Sequence, residues 1–330
     1  MLSLVHTEYR FLDVMKLVMA VVVIAVHTRP EVSFSNHSVK MIFEGIYSLA
    51  VPFFFMASGF LLFRKVRLPL EDVGKDRILS YLKRILKLYV VWTMIYLPLT
   101  IYGFWKEEIP ALEAIVFFGR NILLVGENYM SWPLWYLLGL ITAICIIYSL
   151  LRFRFSVNGI VIISVIIAIL GVSLDYLNDN SILPYISDLY FSVFVTTRNG
   201  LFVGFMYVAL GLLCTRLKTI QLWLIIMLLM LGAIGMFLKV PLSNALVVFS
   251  LFVLSISFQG NRVPLQLSVQ FRVGSTIVYF VHMLFMAVLV LLMDCTKGMQ
   301  LFVLVTSFSI VFSCFLMTKK ETRIFDVIFR

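Results

Sequence analysis

Residues 8–28 read EYRFLDVMKLVMAVVVIAVHT. From Leu17 to Val26 every side chain is apolar, and Arg10, Asp13 and Lys16 crowd one end while His27 closes the other. A helix on the surface of a soluble core carries its apolar side chains on one stripe and polar ones opposite. This segment is apolar all round, and about 20 such residues match the thickness of a bilayer's hydrocarbon layer. The run ends in His27-Thr28-Arg29-Pro30, which lacks the small-residue pattern of a cleaved leader. It therefore reads as a retained first membrane crossing.

The rest of the chain repeats this character. Of 330 residues, 62% are hydrophobic and 13% charged, and the mean hydropathy is +1.04. Soluble domains sit near 45–50% apolar and about 25% charged, so one aqueous core cannot bury this excess. Apolar runs fall at 11–28, 41–63, 85–104, 132–151, 157–174, 200–215, 221–238, 241–258, 274–293 and 299–317. Segment 111–125 is too short to span and reads as re-entrant or interfacial. The expected fold is all-α: a polytopic bundle of about ten transmembrane helices. One domain is expected over 1–330.

With both termini placed in the cytoplasm, most of the 27 basic residues fall inside. They are Arg10, the cluster from Arg64 to Lys87, Arg152, Arg154, Arg216, Lys218, Arg262, Arg272 and the C-terminal Lys319, Lys320, Arg323 and Arg330. Arg29, Lys40, Lys106, Arg120, Arg198, Lys239 and Lys297 fall outside. That is the positive-inside bias of a membrane protein, and it accounts for the formal charge of +10 without a nucleic-acid partner. Cys145, Cys214, Cys295 and Cys314 lie in or beside apolar runs, with no close pair. They read as small core residues, with neither a disulfide framework nor a metal site.

Polar groups inside spans are costly and are the first candidates for chemistry. Lys16 and His27 are eleven residues apart, which returns a helix to within about 20° of the same face, about 16 Å further along. Asp13 falls near that face. Helix-end anchoring by snorkelling explains the same residues equally well. Glu44 enters the second span at roughly the depth of His27, where a carboxylate could orient an imidazole; an interfacial, water-facing Glu is the simpler reading. The inner cluster, with Arg64, Lys83, Arg84 and Lys87, suits anionic lipid headgroups or the phosphates of a soluble cofactor. Trp135 and Tyr136 open an outer helix start, as an aromatic belt does. Arg198-Asn199 opens the sixth span against the positive-inside bias and suits an anionic ligand. Tyr279 and His282 sit in the ninth span, read as its inner half. Pro52 should bend the second span, and Ser58-Gly59 permits close helix approach. The sequence has no Gly-rich phosphate loop, HExxH or GxSxG.

The run FLDVMKLVMAVVVIAVHT resembles the opening of the acyltransferase-3 family of multi-spanning bacterial acyltransferases. The family's aspartate, basic residue and histidine correspond to Asp13, Lys16 and His27. AVPFFFMASGFLLFRK, YLKRILKLYVVW, PLWYLLGL and VYFVHMLF resemble its later landmarks in the same order, over essentially the whole chain. Lys16 replaces the usual Arg, and Pro133 stands where many members carry His. TTRNGLFVGF is similar to a subgroup that includes the membrane halves of the serine racemases of vancomycin resistance.

The resemblance implies an O-acyltransferase, with acetyl transfer foremost, in the bacterial cytoplasmic membrane. It implies a cytosolic acyl-CoA donor such as acetyl-CoA, no metal, and a hydroxyl of a cell-envelope glycan as acceptor. In that reading His27 is the general base, with Glu44 and Asp13 as supporting acids. Arg10, Lys16, Arg64, Lys83, Arg84 and Lys87 hold the donor, while Trp135, Tyr136, Arg198, Asn199, Tyr279 and His282 face the acceptor. Membrane lipids are the expected partners, and self-association is left open. The subgroup raises an alternative, uptake of a small amino acid such as serine.

Overall fold

The computed structural model describes residues 2–3, 8–258, 263–293, 296–319 and 321–329. Arg262, Cys295, Lys320 and Arg330 lie outside the described residues. The helices are α1 (Arg10–Thr28), α2 (His37–Phe63), α3 (Asp72–Lys106), α4 (Ala111–Arg120), α5 (Leu134–Arg152), α6 (Val157–Asp179), α7 (Pro184–Phe194), α8 (Phe205–Cys214), α9 (Leu222–Phe237), α10 (Ser243–Ser257), α11 (Leu265–Met293), α12 (Met299–Met317) and α13 (Arg323–Phe329). A 3₁₀ turn covers Pro30–Ser33, and π-helical turns cover Asn121–Val125 and Gly200–Gly204. The described strands are β1 (Leu2–Ser3) and β2 (Thr219–Ile220), paired antiparallel with Leu2 opposite Ile220.

Each of the ten apolar runs is a helix. Seven (α1, α2, α3, α5, α6, α11 and α12) are long and apolar enough to cross a membrane. Gly200–Cys214, α9 and α10 are apolar but shorter. In lipid every backbone polar group must be satisfied within the chain, and helices do this segment by segment. The apolar excess is where that solvent requires it: Ile162, Ile166, Leu170, Met230, Phe237, Leu291 and Val311 are all exposed. Segment 111–125 is short, as expected, and forms α4 followed by a π turn. Helix α7 has no counterpart among the sequence runs. The basic stretch after residue 63 is not a loop throughout: α3 starts at Asp72 and carries Lys75, Arg77, Lys83, Arg84 and Lys87. Pro52 lies inside α2, which continues past it.

The chain forms two compact units, residues 1–54 with 216–330 (unit 1) and residues 55–215 (unit 2). In unit 1, α1 packs along α11, and α12 packs beside both. Asp13 meets Ser268 and Arg272, while His27 meets His282. Both helices advance in the same direction between these contacts, so they are parallel. At the far end the Gly298 amide donates to the Thr28 carbonyl (2.7 Å), and the Met299 amide donates to Ser33 Oγ (2.9 Å). Helices α9 and α10 form a second tight pair.

In unit 2, α5 packs against α3, α8 and the π turn at Gly200–Gly204, and α6 packs against α8 and the same turn. The close approach expected at Ser58-Gly59 occurs: a Cβ on Gly59 would collide with the Val208 backbone, and one on Gly211 with the Met56 carbonyl. Without side chains at these two positions the backbones of α2 and α8 come together, as membrane helices do at small residues.

Candidate functional site

Two polar places lie at opposite ends of α1 in unit 1. Near its start, Asp13 is buried, and its carboxylate pairs with Arg272 at 2.8 Å. Arg272 Nε lies 3.1 Å from each Asp13 oxygen, and the Ser268 hydroxyl donates to Oδ2 at 2.7 Å. This fork of planar guanidinium on carboxylate is the geometry that a Lys cannot reproduce. Arg10 donates to the Val263 carbonyl (3.0 Å) and pairs with Glu8. Lys16 is partly buried one turn along α1.

Fourteen residues after Asp13, about 21 Å along the helix, comes His27. Asp13 and His27 therefore belong to different places, and Asp13 is a partner of α11. The His27 and His282 rings stack, with centroids 5.4 Å apart and planes 27° from parallel. This corrects the placement of His282 on the inner half of its span: α1 and α11 run parallel, and His282 stands level with His27. Tyr279 lies one turn before it, with ring centroids 6.3 Å apart.

His282 is fully buried. Its Nδ1 lies 3.2 Å from the Val278 carbonyl. A carbonyl only accepts, so that nitrogen carries the hydrogen, and in the neutral ring Nε2 is an acceptor. Nε2 has no hydrogen-bond partner among the described residues. On α12, which packs against α11, Thr306, Ser309 and Ser313 hold buried hydroxyls in the same condition. Buried polar atoms in native proteins are nearly always paired, so such a group points to a role or to an occupant.

Just beyond His27 the chain turns at Arg29, in left-handed backbone conformation, into the 3₁₀ turn. Glu31 in that turn is buried. Its carboxylate pairs with Arg29 at 2.9 Å and accepts a short hydrogen bond from Tyr47 of α2. The Arg29 guanidinium also sits over the Tyr47 ring, 5.8 Å from its centroid. Glu44, by contrast, is exposed. The buried acid beside the His27 end of α1 is thus Glu31. No sequence signal marked it, because a Glu in a polar turn reads as solvated.

The other predicted residues belong to unit 2. Lys83, Arg84 and Lys87 are exposed on α3, and Arg64 is partly buried at the end of α2. Leu79, Leu86, Val90 and Met94 are exposed along the same helix, so Lys83 and Lys87 flank an apolar face. That arrangement suits snorkelling to phosphate headgroups as well as it suits a soluble phosphate ligand. Tyr136 is buried, its hydroxyl 2.7 Å from Ser58 Oγ, with its ring against Phe55. Trp135 and Asn199 line one cavity of about 200 Å³. Arg198, beside Asn199, is exposed. Burial raises the Glu127 carboxyl above its ordinary range, and the Arg198 charge partly offsets this. No group of three metal-ligating side chains occurs among the described residues.

Residues 9–318 match the model of the acyltransferase-3 family, described as an acyltransferase domain. The chain belongs to this family. The matched stretch takes in residues of both units. Over 213 residues, 62% of this chain and 29% of the relative, it is 27% identical to a protein named serine/alanine racemase from Enterococcus gallinarum. It is 28% identical over 211 residues to an amino-acid racemase of Enterococcus faecalis, covering 62% of this chain and 28% of that one. The matches thus take in less than a third of these curated relatives. No solved structure matches the chain. Family membership and the apolar helices together make this acyltransferase-3 protein a multi-pass membrane protein.

Proposed function

We propose that the protein is a membrane O-acyltransferase that moves an acyl group, acetyl in the first instance, from cytosolic acyl-CoA to a hydroxyl of a cell-envelope glycan in the cytoplasmic membrane. The observation that carries this reading is the stacked His27–His282 pair at one end of α1, where the buried His282 Nε2 has no hydrogen-bond partner among the described residues, in a chain of the acyltransferase-3 family. In this mechanism the acceptor oxygen attacks the thioester carbonyl as His27 takes the hydroxyl proton. The C–S bond breaks, the C–O bond forms, and the proton ends on the departing thiolate. A placed base of this kind contributes about 10²–10⁴-fold. Glu31, buried and held by Arg29 and Tyr47, supplies fixed negative charge beside the turn that follows His27. Arg10 and Lys16, toward the other end of α1, are the unit 1 cations assigned to donor phosphates.

The test is transfer of labelled acetyl from acetyl-CoA to envelope glycan by the purified protein. His27→Ala should lower the rate at least about 10²-fold while the protein stays folded. Absence of both acetyl-CoA binding and transfer in folded wild type would overturn the reading. A second reading, which the resemblance to the membrane halves of serine racemases raises, is uptake of a small amino acid such as serine. It predicts accumulation of labelled serine in proteoliposomes without any acyl-CoA.

A further inference from the structure

The cavity of about 200 Å³ in unit 2 is walled by Leu123, Leu124, Leu138, Phe194 and Leu201 around Trp135. Pockets for whole small molecules run about 300–1,000 Å³. An apolar space of about 150 Å³ accepts one benzene ring. The volume therefore suits a segment of one hydrocarbon chain.

The side-chain polar groups of Asn199, Tyr190 and Thr142 on the wall are already engaged. Asn199 Oδ1 accepts from the Leu201 and Phe202 amides at 3.0 and 3.2 Å. Its Nδ2 donates to the Tyr190 hydroxyl at 2.7 Å and to the Thr196 carbonyl at 3.2 Å. The Tyr190 hydroxyl donates to the Thr196 carbonyl at 3.1 Å. Thr142 donates to the Leu138 carbonyl at 3.0 Å. A sugar entering here would lose hydrogen bonds to water and gain few in return. Asn199 holds the π turn together, and Trp135 offers an apolar wall.

Part of the wall is exposed. Leu123, Leu124 and Leu201 are 73%, 40% and 39% exposed. Helices α4 and α7 adjoin the wall in sequence and have 10 and 11 residues, too few to span. Helix α4 buries no residue, and α7 exposes Tyr185, Ile186 and Leu189. Apolar faces left bare on such helices suit a place at the membrane interface. Two cations neighbour wall residues in the chain or through a hydrogen bond. Arg120 ends α4 and donates to Asn121 at 3.0 Å and to the Ser192 carbonyl at 3.3 Å. Arg198 is exposed immediately before Asn199.

We propose that this cavity takes one acyl chain of an anionic bilayer phospholipid, whose phosphate is held by Arg120 and Arg198. The site takes Trp135, Arg198 and Asn199 away from the acceptor role that the family resemblance implies, and it does not depend on acyl transfer at His27. Charge complementarity selects the occupant: an apolar slot with exposed leucines, flanked in the chain by Arg120 and by Arg198, whose charge also acts on Glu127, suits a chain-bearing phosphate.

The experiment uses the full chain, delipidated in detergent and exposed to phosphatidylglycerol or phosphatidylcholine, with retained lipid counted by native mass spectrometry. Wild type should retain one phosphatidylglycerol in preference to phosphatidylcholine. Leu201→Trp, which adds bulk at an exposed wall position, should abolish retention. Arg120→Gln combined with Arg198→Gln leaves the slot intact and should remove the headgroup preference, a loss of about tenfold or more. Equal retention by Leu201→Trp, or no preference in wild type, would overturn the proposal. Displacement by a short-chain polyprenyl phosphate at much lower concentration would overturn the choice of occupant.

Discussion

At the scale of single residues, the Asp13–Arg272 pair sets an energetic expectation. Asp13 is buried and Arg272 is 54% exposed at its side chain. Removing one partner of a fully buried pair costs about 3–5 kcal/mol, and exposure of Arg272 reduces this to roughly 1–3 kcal/mol. Arg272→Ala should therefore lower the unfolding temperature in detergent. Asp13→Asn in the same background should recover part of the loss, since it removes the stranded charge. Glu127 gives a pH-dependent expectation. Burial raises its carboxyl, so the folded state binds the proton more tightly than the unfolded chain. Its contribution is neutral below the ordinary carboxylate pKa and becomes destabilising as pH rises from there through the raised value. Glu127→Gln should match wild type in acid and exceed it in stability near neutrality, and Arg198→Gln should widen the gap. Thermal scans across pH check both. The sequence exposed Asp13, His27 and His282 because charged or aromatic polar groups stand out in apolar runs. It hid Glu31, which lies in a turn whose polarity is that of ordinary solvated chain.

Among elements, helix boundaries were legible because lipid demands uninterrupted apolar length. The run 299–317 coincides with α12, and 157–174 differs from α6 only in its last turn. The start of α3 was not legible. Its first turns carry charged residues, and nothing in a charge run separates helix from loop. Helix α7 was missed because its eleven residues, with a Pro at the start, fall below any spanning length. The small-residue contact was readable at Ser58-Gly59, but its partner was not, since pairing across α2 and α8 is a tertiary fact. Gly211→Leu should force α8 away from α2 and cost about 1–3 kcal/mol or more. A Gly119→Leu control, where nothing lies within 4 Å of an added Cβ, should leave stability unchanged. Melting temperatures of the purified variants decide this.

For the molecule as a whole, unit 1 lets the charge argument be checked against geometry. Strand β1 pairs with β2, so the chain before α1 lies beside Thr219–Ile220, and Arg10 reaches Val263. Three segments read as cytoplasmic from their Lys and Arg content, before α1, between α8 and α9 and between α10 and α11, thus meet at one end of unit 1. At the other end, the turn after α1 meets the start of α12. Charge bias sets orientation during insertion, whereas these contacts are set by folding, so the agreement joins two independent causes. Orientation in a membrane is the remaining step. In a background with Cys145, Cys214, Cys295 and Cys314 replaced by Ser, Ser35→Cys should react with a membrane-impermeant maleimide in intact spheroplasts. Lys218→Cys should react only after the membrane is opened. The reverse pattern would invert the protein and move His27 to the cytosolic face, where an envelope acceptor could not reach it. Labelling of both positions from outside would require an odd number of crossings to be lost between residues 35 and 218.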